Sequence, residues 1–174
     1  MKGMAITDHG VMFGIKEFSD YCTKINKERK AKGEEPFKPI FGCEMYVARR
    51  SMHDKEKDKH DNSGYHLIVL AKNYNGYKNL IKLVSHAWVD GYYYKPRTDR
   101  EELEKYHEDL IVCSACIAGE VPNKIIRGDI EGAREACEWY HRVFGDDYYL
   151  ELQRHEVKDP TLVANREAYP LQQK

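Results

Sequence analysis

Short apolar runs that alternate with stretches of helical period predict an α/β fold with a largely parallel sheet or barrel. Three observations carry this expectation. Runs of strand length recur at 4–6, 43–47, 66–70, 110–113 and 148–152. Amphipathic stretches stand between most of them. No internal repeat or change of composition divides the 174 residues, a length that suits one domain with a real core.

Met4-Ala5-Ile6 reads as a buried strand running into the polar turn Thr7-Asp8-His9-Gly10. Phe18, Cys22 and Ile25 recur at helical spacing among lysines and glutamates, so a helix is expected to end near Lys32-Gly33. Pro39-Ile40-Phe41 leads into a second strand, Cys43-Glu44-Met45-Tyr46-Val47. Residues 49–64 are nearly all polar, with Lys55-Glu56-Lys57-Asp58-Lys59 in a row, and predict an exposed, poorly ordered loop. His66-Leu67-Ile68-Val69-Leu70 is a third strand. Tyr74, Tyr77, Leu80, Ile81, Val84 and Trp88 form the apolar stripe of a second helix. A tyrosine-rich loop from Gly91 to Arg97 precedes a short helix over 100–106 and a fourth strand, Leu110-Ile111-Val112-Cys113. Ile130, Ala133, Cys137, Tyr140 and Phe144 mark a further helix, with Asp129 placed to cap its start and Gly145 to end it. A fifth strand is expected over 148–152. The tail from 161 begins a helical pattern that Pro170 interrupts.

Lys plus Arg total 28 and Asp plus Glu total 29, so the near-neutral chain lacks the basic balance of a DNA-binding domain. Any main grip on DNA is expected elsewhere. No apolar run approaches the roughly 20 residues of a membrane span, and the N-terminus lacks a signal-peptide core, so no membrane partner is expected. Cys22, Cys43, Cys113, Cys116 and Cys137 are an odd set without a disulfide framework, which points to reduced thiols and a cytoplasmic setting.

Every strand carries or adjoins a side chain able to hold a metal. Asp8 and His9 follow the first, Glu44 lies within the second, and His66 opens the third. Cys116 lies beyond the fourth and His155 beyond the fifth. Imidazole, carboxylate and thiolate together suit zinc or a related divalent ion. Each residue also has a plainer reading. Asp8 can cap the following turn, His66 can be a hydrogen-bonded core histidine, and Cys116 can be a small core residue. His155 follows Arg154 on an exposed-looking turn. Glu44 is harder to set aside, because a carboxylate in a mostly apolar strand is costly unless paired with an arginine or bound to a cation. The lone C-x-x-C of Cys113 and Cys116 has no second pair and is weak as a zinc ribbon. His53, His60, His86, His107 and His141 read as solvated.

Thr7-Asp8-His9-Gly10 resembles the second metal motif of PHP (polymerase and histidinol phosphatase) domains. Gly42-Cys43-Glu44 and Tyr65-His66-Leu67-Ile68-Val69-Leu70 resemble that family's glutamate and histidine motifs, in the same order. The segment from Cys113 to Glu120 resembles the one in which PHP domains of bacterial DNA polymerase III alpha subunits place a cysteine ligand. Tyr93-Tyr94-Lys95-Pro96-Arg97 and Glu151-Leu152-Gln153-Arg154-His155 resemble those subunits in particular. The resemblance runs over essentially the whole chain and implies a distorted (β/α)7 barrel of the PHP type, incomplete here. On that reading residues 1–174 are a partial PHP domain, since the family's opening His-x-His and closing Asp-x-His motifs fall outside them.

The resemblance further implies that His9, Glu44, His66 and Cys116 are metal ligands, with up to three divalent ions (Zn, Mn or Mg) in an intact domain. Asp8 is expected to orient His9, and His155 to stand at the site rim or touch phosphate. The implied parent is a DNA-directed DNA polymerase, a nucleotidyltransferase of bacterial DNA replication. Its PHP site is either a metal-dependent 3′–5′ exonuclease or phosphoesterase, or a docking platform for a separate proofreading exonuclease. The implied partners are the rest of the alpha chain, that exonuclease and other replicase components, and DNA through the parent. The fragment alone is expected to be inactive as a nuclease. A stand-alone phosphoesterase such as a histidinol-phosphate phosphatase shares the metal motifs and is the alternative. A non-catalytic interaction module is a further one.

Overall fold

The computed structural model describes residues 1–153. Its elements follow in the order β1 (Gly3–Ile6), α1 (Gly14–Ala31), β2 (Lys38–Ala48), β3 (Gly64–Ala71), α2 (Tyr74–Val89), β4 (Arg97–Thr98), α3 (Arg100–Lys105), β5 (Leu110–Cys113), α4 (Glu120–Ile126), α5 (Ile130–Phe144) and β6 (Tyr148–Tyr149). Among these residues no helix is long and apolar enough to cross a membrane.

The strands form one sheet in the order β1-β2-β3-β5-β6, with β4 pairing β2 off that path. β2 is the spine. β3 runs antiparallel along one edge, from Gly42↔Leu70 to Ala48↔Gly64. β1, an isolated bridge between His9 and Glu44, and β4 follow one another in parallel along the other edge. The sheet is open, and five of its six described strands run the same way, as a largely parallel layer requires; β3 alone is reversed. β3 is antiparallel to both β2 and β5. The cause lies between β2 and β3, where a single 3-10 turn (Lys57–Lys59) replaces the helix that a parallel crossover needs. A closed (β/α)7 barrel is not seen among the described residues.

One face of the sheet carries the core. Cys43, Met45 and Val47 of β2, Leu67 and Val69 of β3 and Leu110 and Val112 of β5 pack with Leu80 and Leu83 of α2, Leu103 of α3, and Trp139, Tyr140 and Phe144 of α5. Alternation along each strand sends Glu44, Tyr46 and His66 to the opposite face. A smaller cluster of Val121, Ile125, Ala133 and Ala136 joins α4 to α5. The expected caps are present: Asp129 accepts from the Gly132 amide at 3.0 Å, and Gly145 ends α5 at φ 56°.

Three local expectations are revised. Residues 49–64 are folded around a buried cation. The Arg97 guanidinium, 0 % exposed, donates to the carbonyls of Asp61 (2.7 Å), Met52 (2.7 Å), Asp54 (2.9 Å) and Gly91 (3.1 Å). Met52 and Asp61 are buried with it, and the buried Asp99 carboxylate accepts from the Met52 amide at 2.9 Å. The lysine-rich run 55–60 is exposed as expected, and what the composition hid is the partner of its flanks, some forty residues away.

The apolar stripe of α2 is also divided. Gly76, Asn79, Leu80, Leu83 and Ala87 face the sheet, whereas Tyr74, Ile81 and Trp88 are exposed. Ile81, Val84 and Trp88 instead line a shallow groove with Val11, Met12 and Phe13. The last strand shortens to Tyr148–Tyr149, which pairs with Val112 and Cys113 of β5. α4 had no sign in the apolar pattern. Its Pro122 falls in the first turn, where a missing amide does no harm.

Candidate metal centre

β2 fixes the centre. Glu44 stands opposite Ile68, which makes His66 its diagonal neighbour on the same face of the antiparallel ladder. Glu44 Oε1 lies 2.6 Å from His66 Nδ1, and Glu44 Oε2 lies 3.1 Å from His9 Nδ1. One carboxylate therefore joins two imidazoles through its two oxygens. Its side chain is only 16 % exposed, and the histidines supply the pairing that a carboxylate at such a position requires.

His9 is delivered by the continuation of β1. The Glu44 amide donates to the Asp8 carbonyl at 3.0 Å, and the Gly10 amide donates to the Glu44 carbonyl at 2.9 Å. Gly10 then turns at φ +67°, where a Cβ would stand 2.7 Å from Pro96 and 3.1 Å from the Tyr46 ring, so no larger residue fits. Trp88 Nε1 donates to the Gly10 carbonyl at 2.8 Å and holds the turn from the helix side.

Cys116 arrives by a sharper route. After β5, Ala115 takes the left-handed conformation at φ 60° and reverses the chain. The His66 amide donates to the Ala118 carbonyl at 3.0 Å, which ties the returning segment to the start of β3. Gly119 passes so close to the Ser114 carbonyl that a Cβ would meet it at 2.0 Å. Cys116 Sγ ends 3.7 Å from His66 Nδ1.

The electrostatics follow from the contacts. The hydrogen bond from Cys116, with help from its charge and that of Glu44, holds the His66 imidazole above its ordinary pKa against the opposing effect of burial. The same hydrogen bond pulls the Cys116 thiol below its ordinary value. Cys43, one residue from Glu44 on the core face, is pushed by burial up to about 12.

Ligand atoms of Glu44, His66 and Cys116 all lie within 4.8 Å of one another. Oxygen, nitrogen and sulfur donors in one cluster suit a zinc-like ion, and two ligands of a tetrahedral ion sit roughly 3.5 Å apart. The donor set of these three therefore fits a divalent metal; His9, on the exposed side, reaches Glu44 but is not part of this close group.

The structure brings Glu44, His66 and Cys116 together and sets His9 against Glu44 at the edge of that group. Asp8 takes the plainer role: its carboxylate accepts from the Gly14 amide at 2.9 Å at the start of α1, and no hydrogen bond joins it to His9 among the described residues. An aspartate one residue from a turn is closer to free amides than to its neighbour's ring. His155 lies outside the described residues. Among the described residues Glu44 pairs with histidines and not with an arginine. His86, expected to be solvated, is half-buried and bonded to Glu102.

Sequence reasoning missed Tyr46, whose ring stands edge-on to His66 at 5.2 Å and 6.5 Å from His9. Its only signal was its strand position, two residues after Glu44.

The PHP domain family matches residues 1–155. The DNA polymerase III subunit alpha of Borreliella burgdorferi is 46% identical over 166 residues, which are 95% of this chain and 14% of that protein. That of Treponema pallidum is 41% identical over 164 residues, 94% of this chain and 13% of that protein. That of Thermus aquaticus is 39% identical over 157 residues, 90% of this chain and 12% of that protein. The chain thus spans no more than about a seventh of the length of these relatives.

Proposed function

The chain belongs to the PHP domain family, and from that premise we propose that it is the PHP part of a replicative DNA polymerase III alpha subunit. Its site would hold divalent metal for phosphoester chemistry of the 3′–5′ exonuclease type. The proposed ligands are His9, Glu44, His66 and Cys116. The observation that carries this is the Glu44 carboxylate joined to both histidines with Cys116 against one of them. A divalent ion held there would activate a water and neutralise charge on phosphate oxygens. The chain's own groups orient the donors. Tyr46 walls one side of both imidazoles, and the Ala115 turn sets the sulfur against His66.

The parent's polymerase activity, its DNA, its proofreading exonuclease partner and a cytoplasmic setting belong to the same proposal. They rest on the alpha subunits the chain resembles over 90–95% of its length. A stand-alone histidinol-phosphate phosphatase is less favoured, since the relatives named above are alpha subunits. A docking role without metal is less favoured because Glu44, His66 and Cys116 are gathered with His9 against Glu44.

The test is metal content. The purified chain is loaded with zinc or manganese, dialysed and analysed for bound metal beside Glu44→Gln and Cys116→Ser. At least one ion per chain is expected in the wild type, with loss in Glu44→Gln. A wild-type chain that retains no ion, or a Glu44→Gln variant that retains as much, overturns the proposal.

A further inference from the structure

Lys95 stands apart from the chain's other surface lysines. Its ammonium lies 5.3 Å over the Tyr46 ring, and that ring touches both His66 and His9. No carboxylate forms an ion pair with Lys95 among the described residues. An exposed lysine usually signifies only a solvated surface. Two features separate this one from that default.

The backbone on both sides is locked. Tyr94 adopts φ 59°, and the Tyr93 amide donates to the Lys95 carbonyl at 3.0 Å, which closes a tight turn. Pro96 is buried against Gly10, the residue after His9. Arg97 is fixed by four carbonyls. The side chain is therefore exposed on a rigid base, one aromatic ring from the gathered donors.

Charge supplies the second feature. The centre gathers a carboxylate, two imidazoles and a thiol, and a cation held at its rim adds attraction for an incoming anion. A flexible ammonium with three donors serves such a contact as a point charge.

Resting on the metal-site reading above, we propose that Lys95 is the cationic contact for a phosphate oxyanion at the His9–Glu44–His66–Cys116 centre. It governs affinity for the phosphate group and not for the metal.

The test uses the whole chain loaded with manganese, as wild type, Lys95→Gln and Lys95→Arg. Binding of inorganic phosphate is read from paramagnetic broadening of its 31P signal, and a dinucleotide phosphodiester is titrated in parallel as a competitor. Lys95→Gln should leave metal affinity unchanged and weaken phosphate about fivefold, the order expected of one partly exposed ion contact. Lys95→Arg should restore most of the loss, and salt near 1 M should close the gap. Competition by the dinucleotide that weakens alike in Lys95→Gln assigns the contact to diesters as well as to free phosphate. Weakening for phosphate alone restricts it to monoester-like oxyanions. Equal phosphate affinity in wild type and Lys95→Gln at low salt overturns the proposal while leaving the metal site intact. So does a parallel loss of metal affinity, which would make Lys95 a structural residue. Failure of the wild type to bind manganese overturns the metal-site reading itself, and this inference with it.

Discussion

Replacing Arg97 with methionine should unfasten residues 49–64 and cost the chain about 4 kcal/mol. The guanidinium is fully buried and satisfies carbonyls of Met52, Asp54, Asp61 and Gly91. A hydrogen bond to a charged group is worth ~1.5–3 kcal/mol, and each buried acceptor left bare costs ~1–3 kcal/mol. Stripping one side from a buried charged network typically costs about 3–5 kcal/mol in all, because partners relax and water enters. Methionine refills most of the volume, so the cavity adds little. A loss near 4 kcal/mol is a large share of the ~5–15 kcal/mol that holds a domain. Urea titration reads the global part of the loss. Amide exchange at Met52, Glu56 and Asp61 reads the part spent on local opening. Arg97→Lys should fall between, since a single ammonium reaches fewer of the four carbonyls. Because Arg97 pairs with Tyr46 in the β2–β4 ladder, metal affinity should fall as well. An Arg97→Met chain within 1 kcal/mol of wild type, with unchanged exchange over 49–64, would refute the reasoning.

Asp8→Ala should cost about 1 kcal/mol through the lost bond to the Gly14 amide and leave metal affinity untouched; a drop in metal affinity without loss of stability would return Asp8 to a role beside His9. In the metal-free chain near pH 7.5, iodoacetamide should alkylate Cys116 well before Cys43, because His66 lowers the Cys116 pKa while burial pushes Cys43 up to about 12. Added zinc should protect Cys116, and mass spectrometry of peptides reads the order. Burial holds the phenols of Tyr140 and Tyr148 above the ordinary tyrosine value. The folded chain thus keeps protons that the unfolded chain releases above about pH 10, so their contribution to stability is complete below that pH and is lost as pH rises. The Tyr148 hydroxyl makes no hydrogen bond among the described residues. Tyr148→Phe should therefore be neutral or stabilising at pH 7 and should raise the alkaline unfolding midpoint seen by circular dichroism. Identical midpoints would contradict this.

Elements whose cause is local were legible in the sequence. α5 lies where its period and its two end residues put it, because Asp129 and Gly145 act within one turn of the helix they bound. β5 is likewise a run of four apolar residues with nothing to compete. What failed was decided at long range. The ordering of Met52, Asp54 and Asp61 within 49–64 depends on Arg97, a residue from another element, and a polar segment looks the same whether a buried cation or water satisfies it. The face of α2 that meets the sheet was misread because 11–13 covers a second apolar face, and periodicity alone does not say which partner takes which. The direction of β3 was invisible for a similar reason. Apolar alternation is the same for either orientation, and only the helix-free connection from β2 decides it.

That direction also explains how the candidate site was read. Donor chemistry is written in residue type, so Glu44, His66 and Cys116 were candidates before any geometry, with plainer readings beside them until the family resemblance singled them out. Their positions along the strands looked wrong, because a barrel of parallel strands gathers its site at C-terminal ends, whereas Glu44 is mid-strand and His66 is third in β3. With β3 antiparallel the conflict disappears. The start of β3 lies beside the later half of β2 and near the end of β5. His66 therefore meets Glu44 on one side and the returning Cys116 segment on the other. The residues that complete the surroundings carry no chemical signature of their own. Tyr46, Trp88, Pro96 and Arg97 act by packing and by backbone contacts. Their roles exist only once β4 has been laid along the edge of β2 that also receives His9. The candidate donors are thus legible as residue types, and their spacing is set by a strand order that residue type does not encode.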